Sequence, residues 1–153
     1  LAADGRDVAC AYVELGSPGL PHLTVELPEL ADMTDGELRG LARALRHHPA
    51  LPKGANVNFY ALTGTDEVLI RTYERGVEDF TCACGTGTGA VVSVLTLAGR
   101  VSGAAVRAKM RGGVLTMDVT ARDGAAHDLF LTGPAQLVAR GEAFEEELLK
   151  NKI

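Results

Sequence analysis

The chain has 153 residues, of which 46% are hydrophobic and 23% charged, and its formal net charge is -5 at pH 7. This size and composition predict one globular domain with a self-sufficient core, and they exclude a disordered or collagen-like protein. The acidic balance argues against nucleic acid and against an anionic membrane as partners, so we expect a small-molecule ligand.

No apolar run approaches the ~20 residues that a membrane-spanning helix needs, and no segment that is first charged and then apolar opens the chain as a signal peptide would. The three cysteines, Cys10, Cys82 and Cys84, are too few for a disulfide framework, so we expect free thiols. These features predict a cytoplasmic protein. The chain begins with Leu1 rather than methionine, and we expect it to be a piece of a longer polypeptide.

Short segments rich in strand-forming residues alternate with turns along most of the chain. The predicted strands span residues 8–15, 22–27, 56–62, 68–73, 104–109, 114–120, 128–132 and 135–139. Thr34 and Glu37 match a capping box that opens an amphipathic surface helix, and Pro49 marks its end. The acidic stretch 142–150 predicts a short exposed helix.

The segment from Thr86 to Ala98 has the length of a helix, but its apolar residues lie on every face. This pattern is typical of a buried helix rather than of a surface helix. We therefore predict an α+β fold in which a barrel-like mixed β-sheet wraps around this central helix.

Cys84 comes immediately before the glycine-rich start of the predicted buried helix. A helix N-terminus stabilises negative charge, so we expect the Cys84 thiol to ionise readily. The same N–H groups can hold a carboxylate or phosphate, because the glycines leave room for it.

The segment lacks the Gly-Lys of a P-loop and the spacing of a dinucleotide fingerprint. One Cys-x-Cys without a second ligand pair does not predict a metal site. We expect Cys10 and Cys82 to be packing residues.

Several segments of the chain resemble the diaminopimelate epimerase family. The Tyr-Glu-Arg-Gly run at 73–76 and the Ala-Cys-Gly-Thr-Gly run at 83–87 look like the family's second catalytic-cysteine motif. Other segments found in the family's order are Pro21-His22, 56–59, 112–115, 131–135 and 141–142. Only the C-terminal half of the family's sequence is represented, and the family's other cysteine motif is absent.

The resemblance implies one of two similar domains, each a barrel-like sheet around a central helix, with the active site between them. It implies a cofactor-independent epimerase of lysine and peptidoglycan precursor synthesis, which interconverts LL- and meso-diaminopimelate with two cysteines. Cys84 would be one of the two, and the other would belong to the missing N-terminal half. The substrate-binding residues implied by the resemblance are Asn56, Glu74, Arg75, Gly85 and Thr86, with His22 near the cysteine pair.

Three residues depart from the family's pattern. Leu20 stands where a polar substrate contact is common, Phe80 where an acidic residue is common, and Cys82 where an aliphatic residue is usual. A related racemase with another amino-acid substrate, and a non-catalytic relative serving as a binding module, therefore stay open as alternatives. Whether two copies of the chain form a homodimer also stays open.

Overall fold

The computed structural model describes residues 1–142, which contain ten strands and two helices. The elements in order of type are β1 (Ala2–Ala3), β2 (Arg6–Asp7), β3 (Ala11–Leu15), β4 (Leu20–Glu26), β5 (Asn56–Gly64), β6 (Glu67–Glu74), β7 (Asp79–Phe80), β8 (Val106–Met110), β9 (Gly113–Arg122), β10 (Ala125–Thr132), α1 (Asp35–Arg46) and α2 (Gly85–Leu97). Neither of these helices is long and apolar enough to cross a membrane.

The main sheet contains eight strands in the order β10-β9-β8-β6-β5-β4-β3, with β7 paired to β6. Its pairings are antiparallel except for β4 with β5 and β6 with β8, which are parallel. The sheet curls around α2, which contacts β9 and β10 at one edge and β3 and β4 at the other. This architecture confirms the predicted α+β fold with a mixed, barrel-like sheet around a central helix.

Helix α1 is the amphipathic surface helix that its capping box predicts. The Thr34 hydroxyl accepts the N–H of Glu37 at 3.3 Å, and the Glu37 carboxylate accepts the N–H of Thr34 at 2.7 Å. Its buried residues are Leu38, Leu41, Ala42 and Leu45. They pack on the outer face of the sheet, over β5 and β6.

The two faces of the central strands contribute to two different cores, because successive side chains of a strand point to opposite faces. In β5, Val57 and Phe59 join the core beneath α1, whereas Tyr60 joins the core around α2. The α2 core also takes Val68 and Ile70 from β6. Even-numbered residues of these two strands therefore face α2, and this alternation decides which polar side chains can meet at its end.

Two sequence-based predictions are wrong and one lies outside the described residues. The first long strand begins at Ala11 rather than Val8, which is buried but follows the short β2. Residues 135–139 form no strand, and Leu137 and Val138 are 82% and 87% exposed. The apolar composition of this segment is typical of a strand, but no strand within residues 1–142 pairs with it. The helix predicted for 142–150 falls beyond the described residues, save for its first residue.

Candidate active site

One end of the barrel gathers the polar residues of several strands around the start of α2. Strands β4 and β5 both begin at this end because they are parallel, and β6 ends there because it runs antiparallel to β5. Gly87 in the first turn of α2 lies against Asn58 and Thr72, which are paired residues on β5 and β6. We call this end of the barrel the rim.

Cys84 is the N-cap residue of α2 and is 7% exposed. Its Sγ accepts the N–H of Gly87 at 3.3 Å and lies 3.6 Å from the Thr86 hydroxyl. Its carbonyl accepts both the N–H and the hydroxyl of Thr88 at 2.9 Å. The thiol is therefore fixed at the positive end of the helix, as the glycine-rich sequence predicts.

The backbone N–H groups of Gly85 and Thr86 are the remaining donors of this first turn. Neither donates to an acceptor within residues 1–142. This is expected, because the first N–H groups of a helix have no partner inside the helix and the Cys84 side chain accepts the N–H of Gly87 instead. Both residues line a cleft of about 540 Å³, together with Leu15 of β3 and His127 of β10. The arrangement can bind a carboxylate beside a thiol.

His22 is fully buried and belongs to a hydrogen-bonded network beneath α2. Its Nδ1 lies 3.2 Å from Nδ2 of Asn58, and the Asn58 Oδ1 accepts the Thr72 hydroxyl at 2.9 Å. A Cβ placed on Gly87 would lie 2.2 Å from that Oδ1 and 3.2 Å from Sγ of Cys84. The network thus joins His22 to the turn that holds the catalytic-cysteine candidate.

Asn58 and Thr72 are not among the site residues predicted from the sequence. The signal that could have found them is the strand alternation, since Asn56 and Asn58 share the inner face of β5 and Thr72 pairs with Asn58. That signal identifies the pair only when the register between β5 and β6 is known, and the sequence alone does not give this register.

Burial lowers the pKa of His22 to about 4, and the positive charge of Arg75 acts in the same direction. The ring is therefore neutral at pH 7. Its Nε2 is buried and has no hydrogen-bond partner in the described part of the chain.

The stability of the chain should fall as the pH drops from 7.5 to 5. An unfolded histidine has a pKa near 6.5, so between that value and about 4 the unfolded state binds more protons than the folded state, and acid favours unfolding. We expect a loss of about 2 kcal/mol by pH 5, measured by urea denaturation. His22→Asn should flatten this slope. An unchanged slope in His22→Asn would assign the acid sensitivity to other groups.

The structure brings Asn56, Glu74 and Arg75 to the rim as well. Asn56 is 4% exposed, and its Oδ1 accepts the backbone N–H of Arg75 at 2.7 Å. The Arg75 guanidinium donates to the carbonyl of Lys53 at 3.0 Å. No salt bridge joins Glu74 to Arg75 among the described residues, and both are half-buried. The two charges at the end of β6 are therefore not paired with each other.

Two of the departures from the family's pattern have a structural account. The Phe80 ring packs edge-on against Tyr73 with centroids 5.4 Å apart, and 6.3 Å from Phe59, so it belongs to the core beneath α1. Leu20 is the half-buried first residue of β4, where it pairs with Leu15. Phe80 is therefore a packing residue, and Leu20 is the departure that lies at the rim.

The other two cysteines differ from each other. Cys10 is half-buried against the core beneath α1, which agrees with the expected packing role. Cys82 is exposed, so the expectation that it packs is wrong. Its carbonyl accepts the N–H of Gly112 at 2.8 Å, which fixes the backbone while the side chain faces solvent. Within residues 1–142, no three His, Cys, Asp or Glu side chains group as a metal site.

Residues 15–138 match the family model described as Diaminopimelate epimerase. The diaminopimelate epimerase of Chlorobaculum tepidum is 38% identical over 133 residues, which are 86% of this chain and 49% of that protein. That of Aquifex aeolicus is 37% identical over 150 residues, or 97% and 50% of the two chains. That of Archaeoglobus fulgidus is 38% identical over 138 residues, or 90% and 44%. The chain spans about half the length of these curated relatives.

Solved structures of three other proteins share the fold. A probable proline racemase from Agrobacterium radiobacter K84 has a TM-score of 0.57 and 17% identity, over 82% of this chain and 41% of that one. A PhzF-family phenazine biosynthesis protein from Bacillus anthracis has a TM-score of 0.56 and 15% identity, over 81% and 39%. A hydroxyproline epimerase from Agrobacterium vitis has a TM-score of 0.55 and 15% identity, over 80% and 40%. Each match covers about two-fifths of the larger protein.

Proposed function

The chain belongs to the diaminopimelate epimerase family, and we propose that it forms the Cys84 half of a cofactor-independent epimerase that interconverts LL- and meso-diaminopimelate. The observation that carries this proposal is the thiol of Cys84 at the N-terminus of α2, beside the N–H groups of Gly85 and Thr86. The reaction belongs to the cytoplasmic synthesis of lysine and peptidoglycan precursors. The remaining half of the enzyme supplies the second thiol and closes the cleft.

The proposed chemistry is proton transfer at the α-carbon of the substrate. Inversion of this centre needs a base on one face and an acid on the opposite face, and Cys84 serves as one of them. The N–H groups of Gly85 and Thr86 bind the α-carboxylate. They stabilise the negative charge that builds up on it as the α-proton leaves. Side-chain thiols carry out both proton transfers, without a cofactor.

The distal end of diaminopimelate carries a second carboxylate and a second ammonium group. Arg75 can bind that carboxylate with the guanidinium N–H groups that Lys53 does not use. Glu74, at the end of β6, is the proposed partner of the ammonium group. Asn56, whose oxygen holds the backbone of Arg75, offers its amide nitrogen as a further donor.

Glu74→Gln and Arg75→Met should impair substrate binding more than they impair folding. Neither charge pairs with the other, so each substitution should change the free energy of unfolding by less than about 1 kcal/mol. In the complete enzyme, kcat/KM for LL-diaminopimelate should fall at least tenfold, mainly through KM. Arg107→Met, at an exposed ion pair far from the rim, is the control. A lower thermal midpoint with normal turnover would make the two residues structural.

The reconstituted enzyme tests the proposed function directly. The chain is purified alone and together with a separately expressed N-terminal half, and conversion of LL- to meso-diaminopimelate is followed by NMR. We expect conversion only in the mixture, because one thiol reaches one face of the α-carbon and inversion needs a proton donor on the opposite face. Conversion by the chain alone would contradict the assignment of the second thiol to the other half. Racemisation of proline in place of the conversion of diaminopimelate would favour the alternative, a related racemase.

A further inference from the structure

The orientation of the Asn58 amide is fixed by two neighbours on the adjacent strands. Its Nδ2 lies 2.9 Å from the carbonyl oxygen of Leu23, an atom that can only accept a hydrogen bond. Its Oδ1 lies 2.9 Å from the Thr72 hydroxyl. Both Asn58 and Thr72 are buried, with exposures of 0% and 3%. The nitrogen side of the amide therefore faces β4 and its oxygen side faces β6.

This orientation determines which nitrogen of His22 carries the proton. The Asn58 Nδ2 lies 3.2 Å from Nδ1 of His22, and an amide nitrogen can only donate. Nδ1 must therefore accept and carry no proton. Since the ring is neutral at pH 7, its single proton lies on Nε2.

Asn58 also touches the turn that carries the thiol. The backbone of Gly87 approaches Asn58 so closely that even a methyl group on Gly87 would overlap Oδ1. The N–H of the same Gly87 is the donor to Sγ of Cys84. A displacement of the Asn58 amide would therefore move the thiol and change the histidine together.

We propose that Asn58 is a positioning residue of this site, which holds His22 as the Nε2–H tautomer and seats the first turn of α2 under Cys84. The inference deepens the proposed function and rests on it for what the site does. The role of Asn58 itself follows from the hydrogen bonds. It keeps a buried Nε2–H donor, without a partner in residues 1–142, in a fixed place beneath the rim.

Nitrogen NMR of the ¹⁵N-histidine-labelled chain tests this proposal without any turnover. The wild-type His22 should show an unprotonated Nδ1 and a protonated Nε2 from pH 8 to about 5. In Asn58→Asp the carboxylate accepts a proton-bearing Nδ1, so the ring should become the Nδ1–H tautomer or the imidazolium at pH 7. The signals of His47, His48 and His127 are internal controls.

Asn58→Ala decides the question if Asn58→Asp does not fold. It removes the Nδ2 donor that faces Nδ1 of His22 without adding bulk, so His22 should become a mixture of tautomers. Thr72→Ser keeps the hydroxyl that contacts the Asn58 amide and should leave the signals unchanged. A wild-type ring with its proton on Nδ1, or unchanged signals in Asn58→Asp or in Asn58→Ala, would overturn the proposal.

The reconstituted enzyme separates this inference from the proposed function. Asn58→Ala should lower kcat about tenfold or more and change KM less than threefold, since positioning rather than binding is lost. An inactive wild-type mixture whose His22 still shows the expected tautomers, and their change in Asn58→Asp, would overturn the epimerase proposal alone. The converse result is an active wild-type mixture in which Asn58→Asp leaves the His22 tautomer unchanged. It would overturn the role of Asn58 alone.

Discussion

Cys84→Ser should reduce the kcat/KM of the reconstituted epimerase by about 10³-fold or more. Serine keeps a side-chain oxygen that can accept the N–H of Gly87, so the start of α2 should be preserved. Its hydroxyl does not ionise near neutral pH, so the proton transfer at one face of the α-carbon is lost. The loss is measured by steady-state kinetics as the conversion of LL- to meso-diaminopimelate, which needs proton transfer at both faces.

The chain offers two matched controls for this substitution. Cys82→Ser changes an exposed thiol two residues away, and Cys10→Ser changes a half-buried thiol on the other side of the sheet. Cys82→Ser should retain turnover within about twofold, and Cys10→Ser should retain it wherever the variant folds. A comparable loss in Cys82→Ser, or normal turnover in Cys84→Ser, would assign the chemistry to another thiol.

Gly87→Ala should strongly destabilise the start of α2. The added Cβ would lie 2.2 Å from Oδ1 of Asn58 and 3.1 Å from the Thr72 hydroxyl. Neither neighbour can yield easily, because they are buried and hydrogen-bonded to each other. We expect a loss of about 3 kcal/mol in the free energy of unfolding, measured by urea denaturation, and a displaced first turn of α2.

Gly36→Ala is the control for this overlap. Gly36 lies in the first turn of α1, where a Cβ would meet only the Thr34 hydroxyl, at 3.7 Å. Because alanine favours a helix over glycine, this variant should be neutral or up to about 1 kcal/mol more stable. Equal effects of the two substitutions would show that the contact with Asn58 is relieved by relaxation.

The sequence predicts both helices correctly because each has a local signal. The capping box and the spacing of its leucines identify α1, and the absence of a polar face identifies α2 as buried. The position of Cys84 at the start of α2 follows from the same local reading. The failures concern segments that need a partner, such as 135–139, whose apolar residues predict a strand that nothing in residues 1–142 pairs with.

The polar network of the site shows why part of it escapes sequence reasoning. Asn58 and Thr72 are 14 residues apart and meet only because β5 pairs with β6 in one register. His22 reaches the same place through the parallel pairing of β4 with β5, which the local sequence does not encode. Cys82 is a free cysteine, a residue type that is usually buried, but it lies in the bend before α2, where its side chain is exposed.

The alternation of inward and outward residues in β5 limits where this protein can change length. A one-residue insertion after Asn56 would turn Phe59 toward α2 and a polar side chain toward the core beneath α1. The hairpin turn at Thr65 and Asp66, at the far end of the same strand pair, carries neither set, but it is anchored because Asp66 accepts the N–H groups of Ser102 and Arg107. Homologous chains should therefore align without gaps along β5, from residue 56 to 61.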